Sequence, residues 1–335
     1  MSLRRSVAAA ALLATVSIPS AAWASALDSP WVLKPGEFYS ELSGSFFAAN
    51  SFYGEQAEGR FSLGGKLDER VVRSTNEFGW KKWASVWIAV PFVSRGFSPF
   101  TGGNTTATGL GDVDMGLRLA LHRGSLPAAL SIGWTAPLGD NRKLFPGTSG
   151  EGGVDLRHVP PPSGSNFADT SFFFDQGLQS LTAALELGGT AGKRAYWTLG
   201  GAYVYRYLEI GQSDETTNGV VTAHRHNAKF AGGDASLGVW VTRSLLVTGA
   251  FHGEWVMSQS AIYDGDDTRE LDITRMLTGP RFTYRVDERM DVFAGSWHTP
   301  TGRNVLHHDQ YYCGIAWKQT GLDRLAGMLG GTKAH

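Results

Sequence analysis

From about residue 36 onward the chain alternates apolar and polar residues with a period near two and shows no long stretch with 3.6-residue periodicity. The clearest case runs from Asp112 to His122. Val113, Met115, Leu117, Leu119 and Leu121 fall on one side, and Asp112, Asp114, Gly116, Arg118, Ala120 and His122 on the other. Successive side chains of a β-strand point to opposite faces, so this segment has one greasy and one polar face. Leu181, Ala183, Leu185 and Leu187 oppose Ser180, Thr182 and Glu186 in the same way. Leu245, Val247, Phe251, Trp255 and Met257 oppose Thr248, His252, Glu254 and Ser258. Tyr311, Cys313, Ile315 and Trp317 oppose Gln310, Tyr312, Gly314 and Lys318.

The pattern predicts twelve strands, at about 36–50, 67–80, 83–94, 111–122, 126–138, 171–188, 194–210, 224–241, 244–258, 269–286, 289–300 and 308–319. Alternation is blurred in the pairs 67–80/83–94 and 126–138/171–188. Short connections at 81–82, 123–125, 189–193, 242–243 and 287–288 alternate with longer ones at 51–66, 95–110, 139–170, 211–223, 259–268 and 301–307. A soluble sandwich has no reason to sort short and long loops to opposite ends, whereas outer-membrane barrels have short periplasmic turns and longer extracellular loops. The strands also reach the 9–11 residues that a tilted membrane strand needs. The expected fold class is all-β, a single-chain antiparallel transmembrane β-barrel of 12 strands. Trp80, Trp83, Trp240 and Trp317 lie near the short turns, where the membrane–water boundary favours rings with a polar tip.

Composition narrows the alternatives. The 335 residues are 42% hydrophobic but only 18% charged, and 43 are Gly; ordinary soluble domains carry about 25% charged residues. A formal net charge of −1 argues against a nucleic-acid partner, which would want a clustered basic surface. The single cysteine, Cys313, excludes an intramolecular disulfide framework. After residue 24 no uncharged apolar run reaches the ~18 residues of a helical span. At the start, Arg4 and Arg5 precede an apolar stretch from Val7 to Ile18, and Ala22-Trp23-Ala24 and Ala24-Ser25-Ala26 match the small-x-small pattern of a signal-peptide cleavage site. The expected organisation is a signal peptide over 1–24, cleaved after Ala24 or Ala26, a barrel over 25–319 and a tail over 320–335. Such a chain is exported to the outer membrane.

The block Gly109-Leu110-Gly111-Asp112-Val113-Asp114-Met115-Gly116-Leu117-Arg118 resembles a strand opening of the transporter-like outer-membrane family associated with phenol-degradation meta-pathways. Val90-Pro91-Phe92 before it and Ala136-Pro137-Leu138-Gly139 after it stand in the expected order. Pro35-Gly36-Glu37-Phe38-Tyr39 is similar to that family's first strand. The resemblance spans about residues 31–318 and implies a barrel that passes small, often hydrophobic or aromatic, molecules. It brings no catalytic residues. Chains of this kind commonly end on an aromatic residue, whereas here Thr320–His335 follows the last strand pattern.

The polar strand faces supply the candidate lumen lining: Asp112, Asp114, Arg118, Glu186, Arg206, Asp234, His252, Glu254, Arg275, Arg281 and Arg285. Basic groups facing lipid at mid-depth would cost about 2–4 kcal/mol each, which favours the inward orientation. These groups would either set up a transverse field in a constriction or form a salt-bridge ladder that stiffens the interior. Arg275, Arg281 and Arg285 share a face and would form a basic stripe opposite Asp112, Asp114 and Glu254. Twelve strands tilted about 40° give a backbone diameter near 24 Å, and side chains leave roughly 10 Å of it. The long connection 139–170 could fold inward or stay exposed outside. No Gly-x-Ser-x-Gly, His-Glu-x-x-His or Gly-Lys-Ser/Thr motif is present. His224 and His226 are half a metal site at best, and His298, His307 and His308 have no serine singled out beside them. The expectation is therefore a channel for small solutes surrounded by lipid, with no cofactor and no metal. An outer-membrane lipid hydrolase and a structural or surface-binding barrel are the alternatives.

Overall fold

The computed structural model describes residues 30–53, 60–100, 104–136, 179–192, 194–210, 224–260, 274–303 and 305–320. The segments expected to be signal peptide and tail lie outside these residues, except for Thr320. So do 137–178, which contain the expected long loop. The strands are β1 (Glu37–Tyr53), β2 (Arg60–Lys81), β3 (Ala84–Pro99), β4 (Thr105–Leu110), β5 (Val113–His122), β6 (Ala128–Ala136) and β7 (Gln179–Ala191). They continue as β8 (Ala195–Ile210), β9 (His224–Trp240), β10 (Leu245–Ser260), β11 (Thr274–Arg285), β12 (Met290–Arg303) and β13 (Val305–Thr320).

Neighbours in sequence pair antiparallel around the whole molecule, and β1 pairs with β13 from Glu37↔Thr320 to Tyr53↔Val305, closing the sheet into a barrel. Closure pairs the first strand with the last, which is what a spanning sheet needs in a solvent that cannot hydrogen-bond its backbone. β4 and β5 lie one after the other along β3, on Phe92–Phe97 and Ala84–Ala89 respectively, so the barrel has twelve wall positions.

The short turns carry their own chemistry. Asp287 Oδ1 accepts hydrogen bonds from the backbone N–H groups of Arg289 (2.7 Å) and Met290 (2.9 Å). Thr242 Oγ1 accepts from those of Ser244 (3.2 Å) and Leu245 (2.9 Å). Side chains of this length imitate a backbone turn, so a few residues suffice to reverse the strand.

Burial is inverted relative to a soluble protein. Leu117, Leu121, Leu181, Leu185, Trp255, Met257, Tyr311 and Ile315 are exposed, whereas Glu41, Glu69, Glu77, Arg118, Glu186, His252 and Glu254 are buried. A closed sheet with an apolar outside and a charged inside is stable where the surrounding phase is hydrocarbon. Trp80 and Trp83 are exposed beside the first short turn. Trp240 ends β9 beside its short turn but points inward with Phe230 and Ser236, and the Arg285 guanidinium sits 4.5 Å from its ring centre.

The expected connection over 95–110 is mostly strand. β3 runs on to Pro99, and β4 returns along it. Between Leu110↔Phe92 and Asp114↔Ala89 the register slips by one residue, with the Gly111 N–H donating to the Pro91 carbonyl (2.9 Å). This bulge puts Thr106, Thr108 and Leu110 on the exposed side before it and the odd-numbered Met115 and Leu117 outward after it. The period of two therefore changes phase there, which disguises a continuing wall as a break. The last two strands likewise extend into 301–307, reaching Arg303 and restarting at Val305.

Candidate functional site: the inner wall of the barrel

The inner faces of β2, β3 and β5–β7 form a wall of paired charges. Arg95 donates to Glu69, and Arg73 Nη2 donates to Asp114 Oδ2 at 2.8 Å. Thr135 donates to the other oxygen of Asp114 (2.8 Å), and Ser180 donates to Thr135 (2.9 Å). Arg118 is fully buried between two carboxylates, Glu77 at 3.8 Å and Glu186 at 3.9 Å. Ser85 donates to Glu77, while Ser131 accepts from Arg118 Nε (3.3 Å) and donates to Glu186 (3.4 Å). Removing such charges from water is costly unless each is matched and hydrogen-bonded, and here neighbouring strands supply the match. Asp112 is buried beside this network. Trp87 lies over Gly116 and Gly133, where added Cβ atoms would crowd its indole ring, and Tyr39 of β1 packs against it.

The inner faces of β11–β13 and β1 are built differently. Arg281 places its guanidinium 3.9 Å from the ring centre of Phe293 and 3.9 Å from Glu41 Oε2. Tyr39 donates to Glu41 (2.7 Å). Trp297 and Tyr312 stack with their planes 14° apart and centres 6.0 Å apart, and Phe47 meets the His308 ring at 4.5 Å. Toward β9 and β10, Arg275 donates to Glu254 (2.8 Å) and His252 Nδ1 lies 2.5 Å from Asp234 Oδ1. Thr198 pairs with Ser236 (2.8 Å) and Tyr196 with Thr248 (3.0 Å).

Parts of β7, β8, β9 and β1 carry small inward residues. Thr182 and Ala184 of β7, Ala202 of β8, Asp234 of β9, and Ser43 and Ser45 of β1 are all half-buried. These short side chains keep part of their surface accessible, unlike the larger, buried ones at Arg118, His252 and Trp297.

Of the candidates read from the pattern, Asp114, Arg118 and Glu186 join the first wall, and Asp234 with His252 and Glu254 with Arg275 form pairs between adjacent strands. Arg206 pairs through its backbone with Ser180 and Ala228, and its side chain lies outside the described ones. Arg275, Arg281 and Arg285 share a face of β11, which lies six wall positions from β5, but each is paired close by rather than with Asp112 or Asp114. Their partners are Glu254, Glu41 and Asp291, the last at 3.4 Å near the mouth. Asp114 is already held by Arg73. Glu41, Glu69, Arg73, Glu77, Arg95 and the rings of Tyr39, Trp87, Phe293, Trp297 and Tyr312 were missed. The spacing Glu69, Arg73, Glu77 places all three on one strand face and is the signal that could have found them.

On the outer surface near the long-loop end, His298 Nδ1 lies 2.5 Å from Asp309 Oδ1, and His307 meets the His298 and Tyr53 rings edge-on. No cluster of three or more metal-ligating side chains occurs among the described residues. The side chains of His224 and His226 lie outside the described ones.

The closed sheet, its apolar exterior and its polar and aromatic interior define a twelve-position transmembrane β-barrel. An outer-membrane channel from Pseudomonas putida F1 shares this fold, with a TM-score of 0.62 at 10% identity over 86% of this chain and 97% of that one. The NanC porin (TM-score 0.44, 9% identity, 84% of this chain and 100% of that one) and the translocator domain of the autotransporter NalP from Neisseria meningitidis (0.45, 9%, 85% and 89%) are more distant barrels. No protein-family profile matches the chain, and no curated protein matches it in sequence.

Proposed function

We propose that the protein is an outer-membrane diffusion channel for small molecules, with apolar and aromatic solutes among those it passes. The carrying observation is that small inward residues, Thr182, Ala184, Ala202, Asp234, Ser43 and Ser45, keep accessible surface inside a closed barrel, as do Tyr39, Arg281 and Tyr312. Its surroundings support the choice of solute. On the first wall acids and bases are paired with one another, so that side presents little net charge to a traveller. Tyr39 and Tyr312, half-buried on the inner wall, are the rings of this region that keep accessible surface, Tyr312 being backed by the buried Trp297. Export by a signal peptide cleaved after Ala24 or Ala26 and insertion among outer-membrane lipids belong to the same reading, as do Asp112, Asp114, Arg118, Glu186, Arg206, Asp234, His252, Glu254, Arg275, Arg281 and Arg285 as lumen groups. The chemistry of transport needs no catalytic residue and no cofactor.

Reconstitution into planar bilayers and into liposomes tests this. Discrete conductance steps, with faster entry of a neutral phenol than of a benzoate of similar size, are expected. A correctly folded barrel that shows neither conductance nor solute entry would overturn the proposal.

A further inference from the structure

One row of register partners runs along the inner wall from β8 to β13: Tyr196, Gly238, Thr248, Arg281, Gly295 and Tyr312. All of them face inward with the buried Thr248, because directly paired residues share one face of a sheet. Each glycine of the row is covered by the tyrosine beside it. A Cβ on Gly238 would collide with the Tyr196 ring, and one on Gly295 with the Tyr312 hydroxyl. The two rings therefore lie along the wall and lean toward Arg281 from opposite sides. The Tyr196 hydroxyl reaches Thr248 Oγ1 (3.0 Å), and the Tyr312 hydroxyl rests over Gly295. Thr248 and Gly295 are the direct cross-strand neighbours of Arg281.

Arg281 is held differently from the other inward arginines. Arg73, Arg95, Arg275 and Arg285 hydrogen-bond a carboxylate on another strand, and Arg118 is bonded to Ser131 between two carboxylates. The Arg281 guanidinium has no such hydrogen bond among the described residues. Glu41 Oε2 stands 3.9 Å from Nη2, beyond hydrogen-bond reach, and already accepts from Tyr39 (2.7 Å). What fixes the cation is the Phe293 ring, whose centre lies 3.9 Å away. Stacking on a ring holds a guanidinium in place without using its N–H groups. With 24% of the side chain accessible, those donors stay open to a guest.

We infer that Arg281 and the tyrosines around it form a binding site for the carboxylate of a small aromatic acid. A carboxylate takes two parallel hydrogen bonds from the guanidinium fork, and the Tyr312 hydroxyl is placed to donate beside it. Glu41 close by favours a singly charged guest over a doubly charged one such as a phosphate monoester, because one cation does not offset both. An aromatic body suits the accessible rings of Tyr39 and Tyr312, the latter stiffened by its stack on Trp297. The inference rests on the channel reading above. A benzoate pauses at Arg281 on its way through and a neutral phenol does not, which is the order of entry expected there.

Titration calorimetry of the detergent-solubilised full chain with benzoate measures the site, and single-channel recording with benzoate in the bath measures its effect on the pore. Heat-modifiable migration checks the folding of each variant. Benzoate should bind and should interrupt the current in brief, repeated blocks; phenol, acetate and inorganic phosphate should do both far more weakly. Arg281→Gln should weaken benzoate binding about tenfold or more, the scale of a lost hydrogen bond to a charged group. Arg281→Lys should restore only part of it, because an ammonium lacks the fork. Tyr312→Phe, which changes no charge, should weaken it several-fold. No benzoate binding in the parent, or equal binding in Arg281→Gln, overturns the site and leaves the channel reading standing. Acetate or phosphate bound as tightly as benzoate overturns the choice of guest. A barrel that binds benzoate through Arg281 yet never conducts overturns the channel reading and keeps the site. Should Arg281→Gln fail to fold with Glu41 left beside no cation, Tyr312→Phe decides, and an unchanged benzoate affinity there overturns the site.

Discussion

The wall made by β2, β3 and β5–β7 and the wall made by β11–β13 and β1 use the same residue types to different ends. On the first, Arg73, Arg95 and Arg118 are each buried against carboxylates from nearby strands, and hydroxyls of Ser85, Thr135 and Ser131 take up remaining oxygens. Those three arginines are held between strands rather than turned toward a solute. On the second, Arg281 keeps 24% of its side chain accessible and Arg285 keeps 46%. One lies on Phe293 and the other on Trp240. An arginine zipped between strands stiffens the barrel, whereas one resting on an aromatic ring still presents charge to the lumen. A charged residue on the polar face of a strand is thus not automatically a pore group.

The largest expected effect comes from breaking the first wall. Arg118→Leu leaves Glu77 and Glu186 buried without their shared cation, and losing one partner of a buried pair costs about 3–5 kcal/mol. Urea-induced unfolding of the reconstituted barrel measures this, and adding Glu77→Gln with Glu186→Gln should recover most of the loss. An Arg118→Leu barrel as stable as the parent would show that the wall is not held by its charges. Next in size is Leu117→Arg, one residue away but facing outward, which should cost about 2–4 kcal/mol near mid-membrane in the same measurement. If it cost nothing, the outer face of β5 would not be in lipid. Smaller again is Thr198→Val, which strands the buried Ser236 hydroxyl 2.8 Å away and should cost about 1–3 kcal/mol.

The smallest effect on stability belongs to the second wall. Arg285→Glu should change the unfolding free energy little, because the exposed Arg285–Asp291 pair is worth about 0–1 kcal/mol, and Arg281 is kept because it faces the buried Glu41. It should instead shift the reversal potential under a salt gradient toward cations. The shift should grow as ionic strength falls, the Debye length being about 30 Å at 0.01 M. Identical reversal potentials in a conducting pore would erase the distinction between the two walls.

How much of this was legible depended on how cleanly each strand separates its environments. β5 could be read directly because Met115, Leu117 and Leu119 meet lipid while Asp114 and Arg118 face inward. β2 could not. Its inner face mixes Leu67 and Val71 with Glu69, Arg73 and Glu77. Its outer face carries Ser74 and Asn76, which satisfy each other (3.2 Å) and Ser40 of β1 (2.9 Å) by hydrogen bonds. With polar groups on both faces the period of two fades, and with it went half of the charge network. The segment Pro30–Gly36 before β1 was unreadable for another reason: Pro35-Gly36 announces a turn, but nothing in Pro30–Lys34 says that Pro30 packs on the inner side of Gly188 and Trp31 meets the Tyr196 ring.

The sequence by itself determined the architecture: a closed antiparallel barrel of twelve wall positions, greasy outside and polar inside. Lipid on one side of a strand and an interior on the other impose alternation residue by residue, which is local information. Only the tertiary structure decided which acid meets which base, that the Arg275–Arg281–Arg285 face is answered by Glu254, Glu41 and Asp291, and that Pro30 and Trp31 meet Gly188 and Tyr196. Those outcomes depend on the register and curvature of strands far apart in sequence. A pair such as Arg73 and Asp114, or Trp31 and Tyr196, exists only once closure has brought its two segments together.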